Sequence, residues 1–358
     1  MLQSRPRMPG KRGRAKPVKP LPPSMSPGNA NAGGVGEDVP RAWDVLRAPP
    51  SAEQEPSAAR HYGNTALLTL PAGEPGREGL GPEAKAWAAR LEPGLAYIAA
   101  HPEIRSVRLL GADALALPAP LLRHVLGRLR RLGHVRAVRL HSEMPASRPR
   151  TLCCDAGRLG AIRACAAPGF RIFVLAQLAH PDQLTTDAIR SIAALQRSGA
   201  AVASLIPLLP GVNDDAALLE RLMLEGMEHN VVPYGLYLRH PNLEKVAAAL
   251  PLHAVYRLAE EARARMIGPG KQIRLLLGGK EGEIELLAIA DGHAYLNYMA
   301  PLPGTETRFA IRRCPEGAFW FEDLPESPSG DKEERQPAQD LPLDTDWPTR
   351  GPVRIIGD

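Results

Sequence analysis

Between about Thr65 and Arg265 the chain alternates short apolar runs with longer amphipathic ones. The short runs cover 65–70, 106–110, 135–140, 171–175, 201–208 and 231–238. Each is rich in Val, Leu or Ile, as strands buried on both faces of a parallel sheet are. The longer runs repeat apolar residues at helical spacing. The run 118–131 places Leu121, Leu122, Val125, Leu126 and Leu129 on one face, and 186–198 does the same with Ile189, Ile192, Ala193 and Leu195. Thr185 and Thr186 offer a cap at the start of that second helix, and Gly199 a stop after it. Helices over 214–228 and 252–265 complete the set. The alternation predicts six βα units in an α/β fold. Periodicity does not choose between an open doubly wound sheet and a partial barrel.

Charge is distributed unevenly. The formal net charge is +5, yet residues 1–36 carry Arg5, Arg7, Lys11, Arg12, Arg14, Lys16 and Lys19 and no acidic residue. The basicity therefore belongs to a proline-rich tail. Residues 322–346 are the reverse, with nine Asp and Glu against Lys332 and Arg335. Such segments bury too little apolar area to offset the entropy of ordering them. Residues 1–60 and 323–358 are expected to be largely disordered, the first a solubilising extension or a weak contact for nucleic acid or acidic partners. No apolar run reaches the roughly 18 residues that span a bilayer, and no signal-peptide core stands near residue 1. The four cysteines, Cys153, Cys154, Cys165 and Cys314, form no disulfide pattern. A soluble cytoplasmic protein is expected. The cysteines read as small buried hydrophobes on a helix, with the side chains of the adjacent pair diverging. No metal site is expected, although Cys153, Cys154 and Cys165 with His141 form the candidate set if there is one.

Chemistry in parallel α/β folds sits at the carboxyl ends of the strands, and this chain keeps its unusual residues there. After the second strand comes Gly111-Ala112-Asp113-Ala114-Leu115. Ser142-Glu143-Met144-Pro145 follows the third strand and Ala179-His180-Pro181-Asp182 the fourth. The fifth is followed by Leu208-Leu209-Pro210-Gly211-Val212-Asn213-Asp214, and the sixth contains Pro233-Tyr234-Gly235-Leu236-Tyr237. Gly278-Gly279-Lys280 comes later. Gly111 suits a tight turn or the close approach of a ligand. Asp113 suits a helix cap, His180 a hydrogen-bonded rim residue, and Asn213 with Asp214 a turn and N-cap pair.

In this order and spacing the segments resemble the lysine 2,3-aminomutase family of radical S-adenosylmethionine (SAM) enzymes, most closely between about Tyr97 and Asn242. The matching family turns read G-G-D-A-L, S-R-T-P, N-H-P-N, L-L-R-G-V-N-D and P-Y-Y-I-Y. The resemblance implies a partial (β/α)6 TIM-like barrel over 61–265, then a small C-terminal β segment over 266–322. It implies SAM held near Gly111 and Asp113, with His180, Asn213, Asp214 and Gly279 lining the cofactor pocket. Lys280 would be the lysine that carries pyridoxal phosphate (PLP). Two departures fall on substrate positions. Glu143 stands where the family has an arginine for the substrate carboxylate, and His240 where it has an aspartate for the substrate amino group.

The largest departure is the cluster. Aligned on His61-Tyr62, the family's three cysteines fall near Glu74, Glu78 and Gly81, in a Gly/Pro loop. A [4Fe–4S] cluster needs thiolates, so the cluster is expected to be absent and with it the radical chemistry. The leading expectation is a binding or regulatory homologue that takes a small-molecule ligand. An active aminomutase-like isomerase and a non-radical PLP enzyme using Lys280 stay open beside it.

Overall fold

The computed structural model describes residues 59–70, 82–238, 250–279, 282–298 and 308–325. The loop 71–81, His240, Lys280 and most of both expected tails lie outside this set. Eleven strands form one sheet whose order follows the chain: β1 (Ala59–Tyr62), β2 (Thr65–Thr69), β3 (Ser106–Leu110), β4 (Ala137–Ser142), β5 (Arg171–Gln177), β6 (Ala200–Pro207), β7 (Val232–Leu238), β8 (Arg274–Gly279), β9 (Gly282–Ala290), β10 (His293–Tyr298) and β11 (Phe309–Arg313). From β2 to β8 every neighbouring pair is parallel. β1 adds to one edge antiparallel, and β9 to β11 continue the other as an antiparallel meander.

Helices fill the crossovers: α1 (Pro82–Ala100), α2 (Ala119–Arg131), the short α3 (Met144–Ser147) and α4 (Pro149–Cys153) with α5 (Ala156–Cys165), then α6 (Thr186–Arg197), α7 (Ala216–Glu228) and α8 (Leu252–Arg265). The six expected βα units are present, and β8 adds a seventh parallel strand. The third strand starts two residues later than its apolar run predicts. A doubly wound sheet reverses strand order at a switch point. Here the order runs one way, and right-handed crossovers then put every helix on the same face.

Alternation along the strands sorts side chains between two faces. Val107, Leu109, Val138, Leu140, Val174, Val202, Ile206 and Leu236 join the main core with the buried stripes of the helices. In α2 that stripe is Leu121, Leu122, Val125, Leu126 and Leu129, as its periodicity predicts. In α1 it is Trp87, Leu91, Leu95 and Ile98, despite Pro93 inside the helix. The other sheet face has a smaller apolar cluster of Leu175, Leu205, Tyr237 and Leu276. No helix among the described residues is long and apolar enough to cross a membrane.

That second face also carries charge. Arg108 on β3, 2% exposed, forms a buried ion pair with Glu283 on β9, 9% exposed. Laid flat, six inter-strand steps of roughly 4.8 Å would separate these strands by about 29 Å. The sheet is therefore curved enough to bring β3 and β9 face to face. The Arg108 guanidinium also donates to His141 Nε2 at 3.1 Å. A second polar group lies on the same face. Arg274 pairs with Glu285 at 3.0 Å, and its guanidinium sits 5.9 Å from the centre of the Tyr234 ring.

Removing one partner of a buried ion pair leaves the other charge stranded, at a cost of about 3–5 kcal/mol, whereas replacing both with apolar residues is often neutral. Arg108→Met should therefore lower the unfolding free energy in urea by about that amount. The double variant Arg108→Met, Glu283→Leu should recover most of the loss. Purely additive losses would mean that the two side chains do not depend on each other.

Candidate functional site

The loops after β3, β4, β5 and β6 all leave the same edge of the sheet, because those strands are parallel and adjacent. Gly111 opens the first loop with φ +95°, and a Cβ there would stand 2.5 Å from the Leu70 carbonyl oxygen. Its glycine character serves the packing of β3 against the end of β2. Asp113 is buried. Its Oδ1 accepts from the Leu115 N–H at 2.8 Å and its Oδ2 from the Glu143 N–H at 3.1 Å. The Ala114 N–H in turn donates to the His141 carbonyl at 3.1 Å. Burial pushes the Asp113 carboxyl up, while hydrogen bonds from Ser142, Leu115 and Glu143 pull against that rise. Asp113 thus ties the loop after β3 to the loop after β4, and its backbone bonds already use both carboxylate oxygens.

Asn213 makes the matching tie further along the rim. It is fully buried. Its Oδ1 accepts from the Leu209 N–H at 2.7 Å, and its Nδ2 donates to Ala179 O at 2.9 Å and Pro207 O at 2.7 Å. It joins the loop after β6 to the end of β5. Asp214 accepts from the Gly211 N–H at 2.9 Å and closes that turn. It is not the cap of α7. Asp215 is, accepting from the Leu218 N–H at 2.8 Å. With two acidic residues in a row, the sequence pattern leaves that choice one residue uncertain.

His180 caps the 3₁₀ turn at Pro181–Gln183. Its Nδ1 accepts from the Asp182 N–H at 3.2 Å, and Gln183 Oε1 accepts from the N–H groups of Ala179 and His180. Glu143 begins α3 at the head of the loop after β4. Asp113 and Glu143 are brought together, as are Ala179 and Asn213. Gly279 ends β8 opposite Gly282. The neighbouring Gly278 makes room for the Tyr237 hydroxyl, which any Cβ at that position would strike. Just outside this rim an open groove of about 800 Å³ lies between the loops after β4 and β5, with Arg148, Arg150, Thr151, Thr185 and Asp187 among its lining. It includes none of the expected pocket residues.

Beneath the rim lies a group of which the sequence reading named only His141: Arg108, His141, Glu283 and Gln177, all buried. The signal was available. Charged side chains within apolar strands, such as Arg108 in Ser-Val-Arg-Leu-Leu, stay buried only when paired. Burial would lower the affinity of the Arg108 guanidinium for its proton, but Glu283 outweighs that and moves it upward. Burial first, and then Arg108 and Arg139, hold His141 well below its ordinary range, so it is neutral. A guanidinium only donates, so His141 Nε2 accepts and Nδ1 carries the proton. Four buried polar atoms on this face have no hydrogen-bond partner among the described residues: Ser106 Oγ, Arg108 Nε, His141 Nδ1 and Gln177 Oε1.

No protein-family model matches the chain. Individual relatives do. The chain is 31% identical over 239 residues to an Aquifex aeolicus (strain VF5) protein named "Putative L-lysine 2,3-aminomutase", a span of 66% of this chain and 64% of that protein. It is 26% identical over 148 residues to the L-lysine 2,3-aminomutase of Clostridium subterminale, covering 41% of this chain and 34% of that one. For the L-lysine 2,3-aminomutase of Escherichia coli (strain K12) the identity is 27% over 158 residues, 44% of each chain. Fold and rim define an α/β protein with its polar loops gathered on the carboxyl edge of a parallel sheet. With these likenesses, the chain belongs to the lysine 2,3-aminomutase family. It spans less than two thirds of the length of these relatives.

The residues present do not fit the iron–sulfur cluster that the resemblance implies. All four cysteines are among the described residues. Cys153 and Cys154 lie at the end of α4, Cys165 is buried on α5, and Cys314 is buried just past β11. No three of them converge, and no group of three or more His, Cys, Asp or Glu among the described residues is placed to hold a metal ion. His141 is bonded to Arg108 and does not belong to a thiol set. The expectation that Cys153 and Cys154 diverge is wrong: their sulfurs are 3.8 Å apart, and Cys154 is exposed.

Two stability measurements follow from this geometry. The His141 pKa in the folded protein is below its unfolded value near 6.5. The unfolded chain then binds a proton that the folded one excludes. Stability is therefore fully present above about pH 6.5 and falls below it, by up to about 1.4 kcal/mol per pH unit. Urea midpoints between pH 7.5 and 5.5 should fall more steeply in the unmodified protein than in His141→Gln. Asn213→Ala strips the partners from the Leu209 N–H and two carbonyls, and should cost about 2–4 kcal/mol. A loss below about 0.5 kcal/mol would show that the staple is dispensable.

Proposed function

We propose that this chain is a partial (β/α)6 barrel of radical SAM type that has given up cluster-dependent chemistry and serves as a binding or regulatory homologue. The observation that carries the proposal is the placement of the four cysteines, which offers no three-thiolate donor set. The strand order, the six helical crossovers and the Arg108–Glu283 pair across the curved sheet support the barrel. The ligand would be small and polar, held at the carboxyl edge of β3 to β8. Glu143 would repel a carboxylate that an arginine would clamp, so free lysine is not its ligand. Free thiols and the lack of a disulfide pattern suit a reducing cytoplasm.

A PLP-dependent, non-radical reading has one observation in its favour. Lys280 follows directly on β8, whose carboxyl end lies on the same edge as Asp113 and Asn213. Bound there, PLP would supply an electron sink for carbanion chemistry. Borohydride treatment after incubation with PLP, followed by peptide mapping, separates this reading from simple binding, since only it predicts the cofactor fixed on Lys280.

Anaerobic incubation with iron and sulfide should leave the protein with well under one cluster per chain and no ability to cleave SAM to deoxyadenosine. A stoichiometric cluster seen by iron analysis and spin resonance, with SAM cleavage, would establish the active isomerase instead. Calorimetry should show weak or no lysine binding to the unmodified protein and a gain in Glu143→Arg.

A further inference from the structure

Cys153 and Cys154 stand at the exposed end of α4, with Cys153 the last helical residue and Cys154 the cap after it. Their sulfurs are 3.8 Å apart. Two sulfurs bound to one tetrahedral ion at about 2.3 Å stand about 3.8 Å apart, so the thiols already have the spacing of a chelating pair. A disulfide is the less suitable outcome. A trans peptide fixes neighbouring Cα atoms at about 3.8 Å, shorter than the roughly 4.4 Å at which unstrained disulfides begin, and a strained bond is readily reduced.

The surrounding groups neither replace nor block the pair. The Asp155 carboxylate is engaged by the Arg158 N–H at 2.7 Å and by its guanidinium. Asp187 is held by Arg150 at 2.6 Å and Arg190 at 3.3 Å. Partial burial and the hydrogen bond shared with Cys154 push the Cys153 thiol up. Cys165 and Cys314 are buried on other elements, away from the pair. The chain thus has one accessible site that can give two sulfurs to a single soft atom, and soft atoms prefer sulfur donors.

We propose that Cys153 and Cys154 form a two-thiol site for a thiophilic metal or metalloid ion, with its remaining positions filled by solvent or an exogenous thiol. A divalent soft ion forms two metal–sulfur bonds and releases two protons. A trivalent arsenical oxide forms two arsenic–sulfur bonds and releases one water.

The test uses the reduced full-length protein and two probes, phenylarsine oxide and cadmium ion. Native mass spectrometry should show one arsenical per chain at the mass expected for loss of one water. Calorimetry should show one cadmium ion bound with proton release. Cys153→Ser and Cys154→Ser should each weaken both probes at least tenfold, with thermal unfolding unchanged. Cys165→Ser and Cys314→Ser should bind as the unmodified protein does. Retention of tight binding by either of the first two variants, or its loss only in the last two, overturns the proposal.

Discussion

The fold turns on one requirement: a buried guanidinium must meet a buried carboxylate from the far side of the sheet. Arg108 lies near one end of an eleven-strand order and Glu283 near the other. Each is the other's ion-pair partner, and neither charge would stay buried alone. The pair therefore marks how closely the two ends of the sheet approach each other. The same contact orients His141, and the inner face becomes a polar interior where the outer face is an ordinary aliphatic core.

Above that interior, two side chains do most of the joining at the rim. Asp113 links the loops after β3 and β4, and Asn213 links the ends of β5 and β6. Both look like ligand-binding residues when only the motif is read. In the folded chain each spends its polar atoms on backbone groups that would otherwise be orphaned. A rim built this way keeps its shape with no ligand present. Family motif residues can persist for that reason alone.

The sequence made much of this visible. Apolar runs located β3, β5, β6 and β7 closely, and the α2 stripe matched residue for residue, because burial on both sheet faces and along one helix face leaves plain periodic signatures. α1 was overlooked because Pro93 and many alanines blur its pattern, although Trp87, Leu91, Leu95 and Ile98 keep the spacing. The strand order could not be read, since it depends on pairing between units. The Arg108–Glu283 contact is invisible for the same reason: the residues are 175 positions apart. The sulfur spacing of the vicinal cysteines depends on rotamers at the end of a short helix, which neighbouring letters do not encode.

Strand order has a further consequence, for how the molecule assembles. Each strand pairs with its predecessor in the chain, so the sheet can grow one unit at a time with short loops to close. Bringing residues 108 and 283 together in an open chain would cost about 4–5 kcal/mol in loop entropy. Once the strands between them are in register, that cost has already been met in small steps. The ion pair is then a latch on a finished sheet and not a seed for it, and mutations there should speed unfolding far more than they slow folding.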